Sequence, residues 1–399
     1  MENILVINAG SSSLKYQLIN MDDREVLAKG IAERIGMNGS KLTYKKGDVK
    51  IEKEAPMPTH DEAIQLMLSL LLDAENGVLA SVDDITAVGH RAVQGGDVFN
   101  SSVLVTEDVI NKIDELSALA PLHNPANIMG IRACQKVMPN TPQAVVFDTS
   151  FHQTIEPHAY IYGVPYEEYE EFRVRRYGFH GTSHSYVSKR MAEILGKNVE
   201  DMKIITCHLG NGSSITAVNK GKSVDTSMGF TPQEGLTMGT RCGDVDVAAI
   251  TYIARKRNMN LDEIDNYINK KCGVLGISGV GSDFRDLNNA MNEGNERARL
   301  ALETFSYRVK KYIGAYAAAM NGVDAIVFTG GVGENDEVVR EWVMSDMEYL
   351  GVDLDKEANK NFKRGVEQPI STPTSKTPVW IVPTDEEMVI ATETHALTR

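Results

Sequence analysis

The sequence predicts an α/β protein assembled from two related halves. Two observations carry that expectation. Short apolar, strand-like runs alternate with amphipathic, helix-like segments along the chain. One strand–turn–strand pattern also occurs twice, about half a chain apart.

The first copy starts with the strand Ile4–Ile7. It enters a turn of Asn8, Ala9, Gly10, Ser11, Ser12 and Ser13, then a second strand from Leu14 to Ile19. Thr59 and Glu62 stand at capping-box spacing ahead of an apolar run and predict a helix start. Thr86–His90 is the next strand. Asn124 and Pro125 read as the N-cap and first residue of a helix that Pro139 follows, and Ala144–Phe147 is again a strand. The second copy runs from the strand Lys203–Cys207 through His208, Leu209, Gly210, Asn211 and Gly212 to Ile215–Val218. Ala325–Phe328 predicts a strand entering a glycine turn and then a helix. Val379–Val382 is the last strand, and Thr384 with Glu387 reads as a capping box on the final helix.

Composition narrows the function. Among 399 residues, 41 Lys and Arg stand against 55 Asp and Glu, a net charge of −14. Such a surface repels nucleic-acid phosphate and anionic lipid, so neither is expected as a partner. Anionic small molecules remain possible, because a cleft needs only a few focused cations. Cys134, Cys207, Cys242 and Cys272 show no metal-type spacing and read as free thiols of a reducing compartment. The greasiest stretch, Ile64–Leu72, contains Gln65 and Ser69 and is too short to span a bilayer, and the N-terminus lacks signal-peptide character. A cytoplasmic protein is expected.

Gly-Ser turns let backbone N–H groups approach an anion closely. Two of them, plus the glycine-rich segment Thr329–Asn335 after a strand, point to nucleotide phosphate. The last segment is neither a Walker A motif nor a GxGxxG fingerprint. Arg91 and Asp148 each follow an apolar strand, at the carboxyl ends where α/β proteins place their sites.

The segments ILVINAGSSSLK, GHRAVQGG, APLHNPAN, VFDTSFH, RRYGFHGTSH, IITCHLGNGSSITAVNKG, TPQEGLTMGTRCGD, SDFRD, FTGGVGEN and VPTDEEMVIA together resemble the acetate kinase family, within the acetate and sugar kinase, Hsp70 and actin superfamily. The resemblance runs over essentially the whole chain. It implies two duplicated actin-like, ribonuclease H-like domains with a central nucleotide cleft. These would be residues 1–150 plus 385–399, and residues 151–384.

It further implies reversible transfer of the ATP γ-phosphoryl group to acetate, giving acetyl phosphate and ADP. Asp148, His180 and Arg241 are implied as catalytic. Arg91 would bind the acetyl carboxylate or phosphate, with His123 nearby, and Val93, Leu122, Phe179 and Pro232 would form an acyl pocket. Lys15, His208, Leu209, Gly210, Asn211, Gly212, Asp283, Phe284, Arg285, Gly331, Val332, Gly333, Glu334 and Asn335 carry over as nucleotide contacts. Asn8 and Glu386 are implied to hold Mg2+, with Mn2+ as an alternative. A homodimer is expected from the family. A carboxylate acceptor is already ionised at neutral pH, so Asp148 is expected to orient or join the metal network rather than abstract a proton. The rival readings are a propionate or butyrate kinase of the same family, and a nucleotide-driven switch of the actin or Hsp70 kind.

Overall fold

The computed structural model describes residues 2–399. The chain separates into two compact units, Met1–Ser150 with Asp385–Arg399, and Phe151–Thr384.

The first unit is built on an eight-stranded sheet. Its strands are β1 (Asn3–Ala9), β2 (Ser13–Asn20), β3 (Glu25–Glu33), β4 (Lys41–Lys46), β5 (Val49–Glu54), β6 (Ile85–Ala92), β7 (Val103–Leu104) and β8 (Gln143–Phe147). Their order is β5-β4-β3-β2-β1-β6-β8-β7. β1 and β2 pair antiparallel with Asn8 opposite Lys15, and β6 joins β1 in parallel. β1 is apolar on both faces because both are covered. Leu5 and Ile7 face a core shared with the helix His60–Leu71, whereas Ile4 and Val6 face Ile390 and Ala391 of the C-terminal helix. That helix can lie on β6 because residue 89 is glycine: a Cβ there would sit 2.3 Å from Thr394 Oγ1.

The second unit repeats the order. Its strands are β9 (Lys203–Leu209), β10 (Ser213–Asn219), β11 (Lys222–Thr226), β12 (Ala325–Thr329), β13 (Gln368–Pro369) and β14 (Val379–Ile381), arranged β11-β10-β9-β12-β14-β13. An antiparallel meander of three strands is followed on the other side by two strands parallel to the first. β3-β2-β1-β6-β8 has the same sense, which makes both units ribonuclease H-like. All six sequence-predicted strands are present, and both repeated hairpins turn at the expected glycines.

The Thr59–Glu62 capping box is formed as expected. Three local expectations are corrected. Asn124 is not an N-cap: His123 occupies that position, and Asn124 is buried with its amide spent elsewhere. The final helix is capped by Asp385, whose carboxylate accepts from the Met388 N–H (3.0 Å), and not by Thr384. The carboxylate standing one residue later sets the register, which leaves Glu386 and Glu387 in the first turn. Finally, Gly330–Asn335 is itself a short helix directly after β12, with no intervening turn.

Candidate active site

In the first unit the polar residues gather at the carboxyl end of β6 and β8. Arg91 lies within β6, not after it, and donates from Nη2 to Asp148 Oδ2 at 3.2 Å. Asp148, just past β8, has a side chain only 2% exposed. Its charge, with those of Glu386 and Glu387, holds the Arg91 guanidinium above its ordinary range. Burial pushes the Glu386 carboxyl up to about 7, reinforced by Asp148 and Glu387 against the pull of Arg91 and Lys15. A carboxylate that retains its proton beside other carboxylates is one that a cation would relieve.

Asn8, Asp148 and Glu386 offer only hard oxygen donors. Among the described residues no cluster of three His, Cys, Asp or Glu forms a ready metal cage. Hard oxygen donors of this kind suit a divalent cation such as Mg2+.

The turn after Arg91 is held by side chains from other elements. Asn124 accepts from the Gln94 N–H (3.2 Å) and donates to the Gln94 and Ile113 carbonyls (3.0 and 3.2 Å). Asn127 links the Val93 N–H (3.2 Å) to the Ala9 carbonyl at the β1 tip (2.9 Å), and Thr149 Oγ1 receives the Gly95 N–H (3.0 Å). Val93 is buried, while Leu122 is 76% exposed and His123 is exposed, so in this unit Val93 alone of the expected acyl residues is enclosed.

The second unit carries the glycine and histidine chemistry. His180 caps the helix Gly181–Ile194 in a left-handed conformation (φ 55°), sparsely populated for a non-glycine residue. Its Nδ1 meets Ser214 Oγ at 2.9 Å. The same hydroxyl meets His184 Nε2 at 2.7 Å, and His184 Nδ1 meets Thr206 Oγ1 at 2.7 Å. His184 is fully buried, and burial drives its pKa well below the ordinary histidine range, so it is neutral. The rings of His180 and His208 stack 4.2 Å apart, and Ser183 anchors His208 Nδ1 at 2.8 Å. Arg241 joins this group: a Cβ built on Gly212 at the hairpin tip would lie 3.2 Å from Arg241 Nη1 and 3.8 Å from His180. The Arg241 Nη1 group donates to the Pro232 carbonyl (3.2 Å), and burial lowers the guanidinium pKa. Phe179 is buried, its carbonyl accepting from His152 Nε2 (2.9 Å), and Pro232 is half-buried.

Beside the hairpin tip lies a cavity of 710 Å³. Gly210, Asn211, Asp283, Phe284, Arg285, Gly331, Val332 and Asn335, all expected as nucleotide contacts, line it. Arg285 is exposed and folds onto Asp283 at 2.6 Å, the cap of its own helix. Leu209 and Gly333 are buried behind this wall. Glu334 turns inward: its Oε1 accepts from the Gly330 N–H (2.9 Å) and the Thr384 N–H (3.3 Å), which makes it a brace for the segment. His208 and Gly212 stand on the histidine side. Lys15 is exposed in the first unit.

Sequence reasoning missed Asn288, Asn289 and Arg364 in the cavity wall. It also missed Arg340, the largest fully buried side chain, which donates to the Gly333 carbonyl (2.9 Å) and to Asn359 Oδ1 (2.8 Å).

A duplicated ribonuclease H-like unit, with a glycine-rich hairpin and helix start in one copy and an arginine–carboxylate cluster in the other, is the architecture of an actin-like phosphotransferase. The acetokinase family model matches residues 3–392, and the chain belongs to that family. It is 59% identical over 395 residues to an acetate kinase of Agathobacter rectalis, covering 99% of each chain. The acetate kinase crystal structure from Porphyromonas gingivalis matches with a TM-score of 0.97 at 49% identity, covering 100% of both chains. A propionate kinase from Francisella tularensis subsp. tularensis matches with a TM-score of 0.92 at 42% identity, again over 100% of both. No helix among the described residues is long and apolar enough to cross a membrane.

Proposed function

We propose that this enzyme is an acetate kinase, transferring the γ-phosphoryl group of ATP to acetate reversibly and directly. The observation that carries the reading is family membership over residues 3–392, with relatives near 59% identity named for that activity. An acetate oxygen attacks the γ-phosphorus while the bond to the departing ADP oxygen breaks in line. No covalent phosphoenzyme intervenes.

Phosphoryl transfer leaves the protein mainly alignment and charge neutralisation. Arg91 binds the acetate carboxylate, for which a planar guanidinium is suited. Asp148, ion-paired with Arg91, fixes that guanidinium. It is not required as a base, since the acceptor carries no proton to remove. His180 and Arg241 donate to the moving phosphoryl oxygens, and the residues of the 710 Å³ cavity hold the nucleotide. Asn8 and Glu386 would hold Mg2+, which would supply charge neutralisation for the triphosphate. Val93 lies in a turn held by Asn124 and Asn127, which suits a tight acyl pocket and acetate over longer acids.

A cytoplasmic enzyme acting as a homodimer completes the reading. The helix Val247–Arg257 is largely exposed, with Val247 and Tyr252 76% and 62% exposed, which leaves apolar surface for a second copy to cover. The decisive experiment is a coupled assay of acyl phosphate formation from ATP and Mg2+ with acetate, propionate and butyrate. The highest kcat/KM is expected with acetate. A clear preference for propionate would replace this reading with the propionate kinase one.

A further inference from the structure

Two of the four cysteines are brought together beside Arg241. The loop Met238–Gly243 runs along the segment Ile268–Leu275 and is tied to it by backbone bonds. The Cys272 N–H donates to the Thr240 carbonyl (3.0 Å), the Cys242 N–H to the Ile268 carbonyl (3.1 Å), and the Val274 N–H to the Met238 carbonyl (2.9 Å). Thr240 Oγ1 adds a bond to the Asn269 carbonyl at 2.8 Å. These ties bring the two residues side by side, their thiols within each other's electrostatic reach and both half-buried. Cys242 also borders a cavity of 460 Å³ open to small molecules, and its sulfur accepts from Gln233 Nε2 at 2.7 Å. Cys134 and Cys207 lie fully buried in the cores.

We propose that Cys242 and Cys272 form a reversible disulfide, a modification site through which peroxides switch off the Arg241 loop. The two sulfurs are not equivalent. The Cys272 thiol is pulled down to about 7 by the hydrogen bond from Cys242, with Tyr267 also donating, whereas Cys242 is pushed up. Cys272 is therefore the thiolate that attacks. It displaces hydroxide from hydrogen peroxide, breaking the O–O bond and forming a sulfenic acid, and the hydroxide takes up a proton as water. The Cys242 sulfur then attacks the sulfenic sulfur, the S–O bond breaks, and the Cys242 proton leaves with the oxygen as a second water. In sum, two thiols are oxidised and one peroxide is reduced to two waters. Closing the bond to about 2.05 Å draws the two segments together. Cys242 is thereby pulled from Gln233, and its neighbour Arg241 leaves the histidine side of the hairpin tip.

The test uses the full-length enzyme. Trypsin cuts after Arg241 and Lys271, so each cysteine begins its own peptide, 242–255 or 272–285. After hydrogen peroxide, non-reducing mass spectrometry is expected to find these two peptides joined and lighter by two hydrogens, with Cys134 and Cys207 still free. Acetate kinase kcat is expected to fall at least ten-fold and to return with dithiothreitol. Cys272→Ser should keep its activity through the same treatment. Absence of the joined peptide in oxidised wild type overturns the site. A joined peptide with undiminished kcat overturns its control of Arg241. The mass readout does not depend on the acetate kinase reading, so failure of that reading and failure of this one are distinguishable.

Discussion

The two units share a strand order yet present opposite chemistry at the same ends of their sheets. In the first, β6, the strand beside β1, carries Arg91 one residue before its end, with Asp148 against it, and the returning C-terminal helix adds Glu386. In the second, the equivalent strand β12 ends in Thr329 and passes straight into Gly330–Asn335. The hairpins diverge likewise. The tip of β1–β2 is tied to core elements, the Gly10 carbonyl to His60 Nε2 (2.8 Å) and the Ala9 carbonyl to Asn127. The tip of β9–β10 is backed by His180, His184 and His208 through serine hydroxyls. One fold therefore sets an arginine–carboxylate pair in one copy, and in the other histidine rings with Arg241 beside them.

The largest expected effect lies in the second unit. On the proposed function, Arg241→Ala removes a donor needed mainly when charge spreads over the moving phosphoryl group. Its kcat should fall by roughly a hundred- to a thousand-fold, or about 2.7–4 kcal/mol, with acetate KM changed far less. Steady-state kinetics of the pure variant decide this, and a near-normal kcat would leave the second unit without its charged catalyst.

The next effect lies in the first unit and tests whether its acceptor side is separable from the nucleotide side. Asn124→Ala leaves the Gln94 N–H and two carbonyls without their buried partner, a loss of about 1–3 kcal/mol. Because those bonds shape the Val93–Gly95 turn, acetate KM should rise while ATP KM stays near wild type. Equal increases in both would mean that the two ends are not served separately.

A smaller effect concerns acid stability, and here the units are expected to behave alike. His90 is buried beside Gln143 (2.7 Å), and burial lowers its pKa to about 4; burial also holds His184 well below the ordinary range. An unfolded histidine titrates near 6.5, so between about pH 6.5 and 4 the unfolded chain binds more protons. The stability tied to neutral His90 is complete above pH 6.5 and is lost as pH falls toward 4, about 2 kcal/mol between pH 7.5 and 5. Urea midpoints of wild type and His90→Gln at those two pH values measure it. The variant should lose less on acidification, and an identical loss in both would remove His90 from the account.

What the sequence revealed follows the same physics. Strands buried on both faces leave apolar runs, as in β1, β8 and β12, and these are legible without partners. The repeated hairpin and the glycine segments were legible for the same reason. Asn124 was misread because an Asn before a Pro has a strong local meaning, whereas its actual partner, Gln94, lies 30 residues away. Arg340 and His184 gave no local signal, and Glu334, expected at the nucleotide, braces its own segment instead. Their positions follow from buried polar groups that need partners, and those partners are fixed only once the chain has folded.

The smallest effect is the one that would most sharpen the acceptor side. Val93 is 5% exposed, and its N–H is fixed to Asn127, so its two methyl groups are held in place rather than free to yield. A wall held in that way discriminates by overlap: a longer acid is rejected because the methyls cannot retreat. Val93→Ala removes both methyls without touching the backbone bond, which makes room for one more methylene. Burying a methylene is worth about 0.8 kcal/mol, so kcat/KM for propionate relative to acetate should rise roughly four-fold, and further if a clash is relieved. Leu122 provides the contrast, because a side chain 76% exposed is not held by neighbouring groups as a fixed wall. Leu122→Ala should leave the ratio within two-fold. The ratios of wild type and the two variants, measured in one coupled assay, decide the matter. An unchanged ratio in well-folded Val93→Ala would place the acyl methyl elsewhere, and a shift in Leu122→Ala would show that this exposed residue closes over the substrate.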